Sequence, residues 1–216
     1  SCPMVIRVPV GGYIHGSLCH SQCIDGYFTH LPGIYIVYPS NAADAKGLLK
    51  MACRMNDPVM FMEHKGLYRQ GFASSLEPDE NYLLPFGMAA IVQEGIDVTI
   101  VTWGAMVQKS IEASQNTGIS TEIIDIRTLN PLDINTILSS IQKTNRVIIA
   151  HEDNLTNGFG SEIAARISNE GFEYLDAPIK RVASKDSPIA YSEVLENELL
   201  VQISWIEKAM IEVVAY

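Results

Sequence analysis

The residues able to do chemistry crowd into Gly11-Gly12-Tyr13-Ile14-His15-Gly16-Ser17-Leu18-Cys19-His20-Ser21-Gln22-Cys23, directly after the apolar run Met4 to Val10. Paired glycines after a strand let the backbone turn sharply and come close to a ligand. Three chemistries compete for the stretch. His15, Cys19, His20 and Cys23 are all zinc-ligand types, although the usual zinc signature is two separated pairs and here the four are compressed into one short run. Ser21 or Cys19 beside a histidine would suit a nucleophilic hydrolase. Neighbours in sequence seldom converge their side chains in that way, however, and no G-x-S-x-G elbow supports it. The third reading is a glycine-rich loop whose polar side chains satisfy backbone groups, and for His15, Ser17 and Ser21 taken singly it is the stronger one.

The elements that must position this loop alternate between strand and helix. The pattern predicts a strand at Met4 to Val10, a short helix around Ile24 to His30, a strand at Ile34 to Tyr38, a helix from about Ala42 to Arg54 and a strand at Val59 to Glu63. The long helix has the clearest signals: Asn41 caps it with Asp44 reaching back, and Ala42, Ala45, Leu48, Leu49, Ala52 and Cys53 form one apolar stripe. Such alternation implies a parallel sheet covered on both faces, with ligands beyond the carboxyl ends of its strands, where Gly11-Gly12 would lie. Three strands are too few to close such a sheet, and Ser1-Cys2-Pro3 enters a strand with no initiator Met, so a longer parent chain is expected.

Residues Gly66 to Pro85 read as a linker, broken by Ser74-Ser75, Pro78 and Pro85. Beyond it, Ala89 to Gln93 and Val98 to Thr102 read as an antiparallel pair turned at Glu94-Gly95. A helix from about Ala105 to Ser114, ended near Gly118, precedes a strand at Glu122 to Ile126, a helix from Asp133 to Gln142 and a strand at Val147 to His151. A helix from Ser161, its expected N-cap, to Asn169 leads to a strand at Ile179 to Ala183. The last helix spans roughly Leu199 to Val214, with Ile203, Ile206, Met210, Val213 and Val214 on one face and Glu207, Lys208 and Glu212 away from it. Gly158-x-Gly160 lacks the third glycine of a dinucleotide fingerprint and reads as helix packing.

Composition excludes several classes. With 216 residues, 47% of them hydrophobic, the chain can bury one large or two small cores. A net charge of −10 without a Lys/Arg cluster argues against nucleic acid. Cys2, Cys19, Cys23 and Cys53 form no dense disulfide framework, so reduced thiols in a bacterial cytoplasm are expected, and no signal peptide or long apolar run calls for a membrane.

The run Gly-Gly-x-x-x-Gly-x-x-x-His-Ser-Gln, with Tyr27-Phe28-Thr29-His30-Leu31-Pro32-Gly33, Pro39-Ser40 and Asp44-Ala45-Lys46-Gly47-Leu48-Leu49, closely resembles the beta subunit of thiamine-dependent 2-oxoacid dehydrogenases. The resemblance extends through Asp57-Pro58, Glu63-x-Lys65, Leu67-Tyr68-Arg69, Trp103-Gly104, Asp125-Ile126-Arg127-Thr128-Leu129-x-Pro131 and His151-Glu152. It implies an α/β fold: a partial pyrimidine-binding three-layer domain at residues 1–65, a linker at 66–85, and a transketolase C-terminal-like αβα domain with a mainly parallel sheet at 86–216. It implies thiamine diphosphate, with Mg²⁺ and the pyrophosphate held mainly by an alpha subunit or fused alpha portion, and His20 as the active-site histidine. Further implied partners are a dihydrolipoyl acyltransferase with its lipoyl domain and a second copy joined through the C-terminal domain. The glutamate that activates the cofactor is expected before Ser1, so this chain alone should be inactive. Branched-chain 2-oxo acids such as 2-oxoisovalerate are favoured over pyruvate.

The sequence departs from the family at Cys23-Ile24-Asp25-Gly26, where Ser-Pro-Glu-Ala is usual, which should soften the helix start. Asp57 matches one ligand of the family's structural monovalent-cation site, but Met55 stands where the other carboxylate would be, a poor ligand for a hard cation. In His151-Glu152-Asp153, strand alternation puts His151 and Asp153 on one side and Glu152 on the other, and a structural role is the preferred reading. Arg127, at a strand end, could pair with a partner's carboxylate or stand in solvent. Two other functions stay open: a transketolase or deoxyxylulose-phosphate synthase-like enzyme, and a non-catalytic assembly module, which would have no need of the Gly11 to Gln22 motif.

Overall fold

The computed structural model describes residues 1–216. The first sheet contains β1 (Val5–Val10), β2 (Tyr35–Val37) and β3 (Val59–His64), interleaved with α1 (Ser17–His20), α2 (Asp25–Thr29) and α3 (Ala42–Ala52). β3 lies between β1 and β2 and is parallel to both, pairing Val10 with His64. Val59, Met60, Phe61 and Met62 are all buried, as expected of a parallel strand covered on each face. α3 begins as its sequence predicts. Asn41 Oδ1 accepts from the Asp44 N–H at 3.0 Å, and the Asn41 amide donates back to the Asp44 carboxylate at 2.9 Å. Its Leu48 and Ala52 pack on Val37, Val59 and Phe61.

The chain continues through β4 (Ala90–Gln93), β5 (Val98–Thr102), α4 (Met106–Thr117), β6 (Thr121–Asp125), β7 (Thr128–Asn130) and α5 (Ile134–Thr144). β8 (Val147–Asn154), α6 (Phe159–Glu170), β9 (Lys180–Ser184), α7 (Glu193–Leu199) and α8 (Ile203–Val214) complete it. The second sheet has the order β4-β6-β5-β8-β9, parallel except for β4. The expected hairpin of β4 with β5 does not form: β4 runs antiparallel to β6, and β5 sits between β6 and β8. Every residue of β5 is buried, so it needs covered neighbours on both edges. Gly95 is there for close approach, since a side chain on it would strike the Thr121–Glu122 backbone.

Three other expectations are corrected. α6 starts at Phe159 with Gly158 as its cap, while Ser161 Oγ accepts instead from Arg181 at 2.6 Å. Leu199 ends a separate helix, α7, and extended backbone at Leu200 divides it from α8. The first sheet gains a fourth strand from far along the sequence. Arg127, with φ of 57°, turns the chain out of β6, and β7 then pairs antiparallel with β2.

A single apolar core joins the sheets: Tyr38, Met60 and Met62 from the first meet Val101, Ile124 and Ile149 from the second, together with Ile163 and Ile167 of α6. Burying each such side chain contributes roughly 1.5–3 kcal/mol. α4 and α8 cover the opposite face of the second sheet, with Ile206, Met210 and Val213 inward as their spacing predicts. No helix is long and apolar enough to cross a membrane.

Candidate active site

Gly11 and Gly12 leave the carboxyl end of β1, beside the end of β3, and the reason for two glycines is visible. Gly11 has φ of 88°, and a Cβ there would fall on the His64 ring, while one on Gly12 would strike Leu200. Beyond them Tyr13, His15 and Ser17 take φ values of 62°, 57° and 54°. Left-handed backbone at a non-glycine residue costs on the order of 1–3 kcal/mol and persists only where its surroundings enforce it.

Here the enforcement comes from the second sheet and its helices. The Gly12 N–H donates to Glu152 Oε1 at 2.6 Å, the Tyr13 hydroxyl to the Val201 carbonyl at 2.8 Å, and Ser17 Oγ to the Ile189 carbonyl at 3.3 Å. The His15 N–H reaches both oxygens of Glu196, and its Nδ1 lies 2.8 Å from Oε2 of the same buried carboxylate. Lys109 Nζ sits 4.1 Å from the centre of the Tyr13 ring. Within the loop, Ser21 Oγ accepts from the Gly16 N–H at 2.9 Å, the backbone role its sequence context suggests.

At the base of the loop, His64 Nε2 and Glu152 Oε2 are 2.5 Å apart, both side chains almost wholly buried. His64 Nδ1 accepts from the Gly66 N–H at 3.0 Å, so the ring proton is on Nε2 and points at the carboxylate. Burial works against a charged Glu152, but His64, the Gly12 N–H and Lys109 outweigh it and hold its pKa below the ordinary value.

His20 closes α1 with its imidazole exposed, and its backbone carbonyl accepts from Lys65 Nζ, next in sequence to His64. The ring lies in neither of the two main cavities. One, of about 470 Å³, lies against α3 beside the Arg7–Glu63–Tyr68 cluster, and the other, of about 950 Å³, runs between α2 and α6. Cys19 is exposed, Cys23 is buried with Sγ 3.3 Å from the Tyr38 hydroxyl, and His15 faces Glu196, so the four zinc-type residues do not converge. No group of three or more His, Cys, Asp or Glu could hold a metal ion. Asp57 is exposed just before β3, at the opposite end of that strand from the loop, and Met55 is half-buried nearby.

The His151-Glu152-Asp153 run divides as alternation requires. His151 is buried and stacks on Trp103 with centroids 5.3 Å apart, neither ring nitrogen has a partner, and burial, reinforced by Arg181, lowers its pKa to about 3. Asp153 Oδ2 accepts from the Gly26 N–H at 3.0 Å beside Asp25, which accepts from the Trp103 indole at 2.7 Å. Burial and the neighbouring Asp153 push the Asp25 carboxyl well above its usual range. Arg127 forks onto Asp44 of its own chain at 2.7 and 3.1 Å, with its side chain mostly buried. Sequence reasoning misses His64, Glu196 and the loop-holding role of Glu152. For His64 a signal existed, since it ends a strand parallel to the one that feeds the loop.

Comparison with known proteins gives a consistent result. Residues 1–70 match the transketolase pyrimidine-binding domain and residues 87–206 the transketolase C-terminal domain. The chain is 41% identical to the 2-oxoisovalerate dehydrogenase subunit beta of Bacillus subtilis (strain 168), over 100% of its own length and 67% of the relative's. It is also 41% identical to the pyruvate dehydrogenase E1 component subunit beta of the same organism, over 88% of its own length and 59% of the relative's. It thus spans roughly three-fifths to two-thirds of these two relatives. A solved structure, described as a split gene transketolase in an inactive beta4 tetramer, superposes with a TM-score of 0.76 over 98% of this chain and 65% of its own, at 23% identity. That likeness shows the fold.

Proposed function

Because the chain belongs to the family of 2-oxoacid dehydrogenase beta subunits, built from the pyrimidine-binding and C-terminal domains of transketolase, we propose that it is the beta portion of a decarboxylating, thiamine diphosphate-dependent 2-oxoacid dehydrogenase. The observation that carries the reading is His20: an exposed imidazole, engaged by nothing in its own chain, at the end of a strained loop beyond the carboxyl end of a parallel strand. Such a ring fits a cofactor presented by another chain. Thiamine diphosphate supplies, when bound, the stabilisation of negative charge at the reacting carbon. His20 hydrogen-bonds the carboxylate of the 2-oxo acid and later gives a proton to the lipoyl sulfur released when the disulfide opens, since an imidazole can both donate a hydrogen bond and pass on a proton.

In this reading an alpha subunit or fused alpha portion holds the pyrophosphate and Mg²⁺. A dihydrolipoyl acyltransferase presents the lipoyl domain, and two copies of the chain associate through residues 86–216, with residues 1–65 forming the pyrimidine-binding part and 66–85 the linker. Asp57 is kept as a candidate monovalent-cation ligand. Branched-chain substrates are preferred on overall similarity, with the 2-oxoisovalerate relative in support. Four unpaired cysteines fit the bacterial cytoplasm. The transketolase alternative has the domain matches and the fold likeness behind it, whereas the relatives named above are dehydrogenase subunits.

The test is His20→Ala in the full-length chain assembled with its alpha counterpart. Transfer of the acyl group to lipoamide should fall by at least about a hundredfold, within the range for removing a general acid. Transfer at the wild-type rate refutes the assignment.

A further inference from the structure

Residues after the linker look chemically idle in the sequence, yet they supply two buried carboxylates whose partners lie in or beside the loop that carries His20. We propose that Glu152, acting with His64, and Glu196 are positioning residues that clamp the Gly11–Ser21 loop so that His20 is held outward for acyl transfer. The proposal rests on the assignment of His20 made above.

The connections are direct. Glu152 bridges the Gly12 N–H at the loop's start and His64 at the end of β3. Lys65, next along the backbone, bonds the carbonyl of His20 at the loop's far side. Glu196 holds the middle through the His15 N–H and imidazole. Between these points Tyr13, His15 and Ser17 sit in left-handed backbone that would relax if released. The rings of Tyr13 and Tyr38 lie 6.2 and 6.4 Å from that of His64, at 26° and 25° to it, and keep water from the pair.

The chemistry also explains why a carboxylate is required. Both groups facing Glu152 are donors, Gly12 N–H and His64 Nε2–H, and each takes one oxygen. A glutamine offers one acceptor and one donor. His64 cannot swap tautomer to suit it, because Nδ1 would then turn a proton towards the Gly66 N–H. One buried donor is therefore stranded in Glu152→Gln, which weakens the clamp without changing the side chain's size.

The experiment uses the assembled full-length enzyme carrying Glu152→Gln or Glu196→Gln, each alone and combined with His20→Ala. Backbone hydrogen exchange of the peptide covering residues 11–21 should speed up by about tenfold or more in either single variant, the loss expected for a hydrogen bond to a charged group. Lipoamide acylation should fall by a similar factor, and the fall should vanish in the His20→Ala background. Unchanged exchange, or losses that multiply with that of His20→Ala, overturn the clamp. Wild-type acylation by His20→Ala alone overturns the assignment of His20 instead, so the two failures are distinct. Should Glu152→Gln fail to assemble, Glu196→Gln, whose partner His15 is half in solvent, is read by the same measurements.

Discussion

Asp125 ends β6 without exposure, accepting from Ser40 Oγ at 2.5 Å and from the Arg127 N–H at 3.0 Å, and so ties the second sheet to the turn that starts α3. Burial lifts its pKa from 3.8 to about 6, against the pull of those two hydrogen bonds. A carboxyl whose folded pKa exceeds its unfolded one favours folding fully at pH below 3.8, and that contribution is lost as pH rises through about 6. At 1.36 kcal/mol per unit, the interval is worth about 3 kcal/mol. Asp125→Asn removes the titration while keeping an acceptor for Arg127 and an amide that can donate to Ser40. Urea unfolding of the two proteins, run in parallel from about pH 4 to about pH 7, isolates the group because every other titration is common to both. Relative to the variant, the wild-type protein should lose about 2.4 kcal/mol across that range, the rest of the interval lying below about pH 4. A stability difference that does not change with pH would show that the carboxyl ionises as freely in the fold as in the open chain, and the reasoning from burial would fail.

Two further perturbations probe the framework. Arg127→Met leaves the Asp44 carboxylate, only 4% exposed, without its forked partner. This should cost about 3–5 kcal/mol, as for breaking a buried pair, and an unshifted denaturant midpoint would contradict it. Gly160→Ala places a methyl 2.5 Å from the His151 ring. Overpacking of about 1–3 kcal/mol should outweigh the roughly 1 kcal/mol that alanine gains in a helix, so a raised melting temperature would mean that the ring yields.

What the sequence makes legible is what is decided locally. The Asn41–Asp44 cap joins residues three apart, and the alternation that parts Glu152 from His151 and Asp153 is a property of one strand. Glu152's task is not legible because its partners, His64 and Gly12, lie 88 and 140 residues away and meet it only once both sheets are folded. The same distance explains the mistaken hairpin. Ala90–Gln93 and Val98–Thr102 are close in sequence and carry a turn signal, but the all-buried β5 takes its neighbours from residues 121–125 and 147–150. Arg127 is ambiguous in the sequence for a related reason: Asp44, which fixes it, belongs to the other half of the chain. The separate α7 is not legible for a simpler one, since the extended break at Leu200 carries neither Gly nor Pro.

The small strand β7 limits how this protein can be recombined. A chimera joined in the residues 66–85 segment would trade, along with everything downstream, the outer rung beside β2. The donor would have to match the recipient at Ile36 and Val37 as well as in its own interior. Domain exchange at that junction should therefore succeed only between relatives whose residues 128–130 are interchangeable, however well their linkers align.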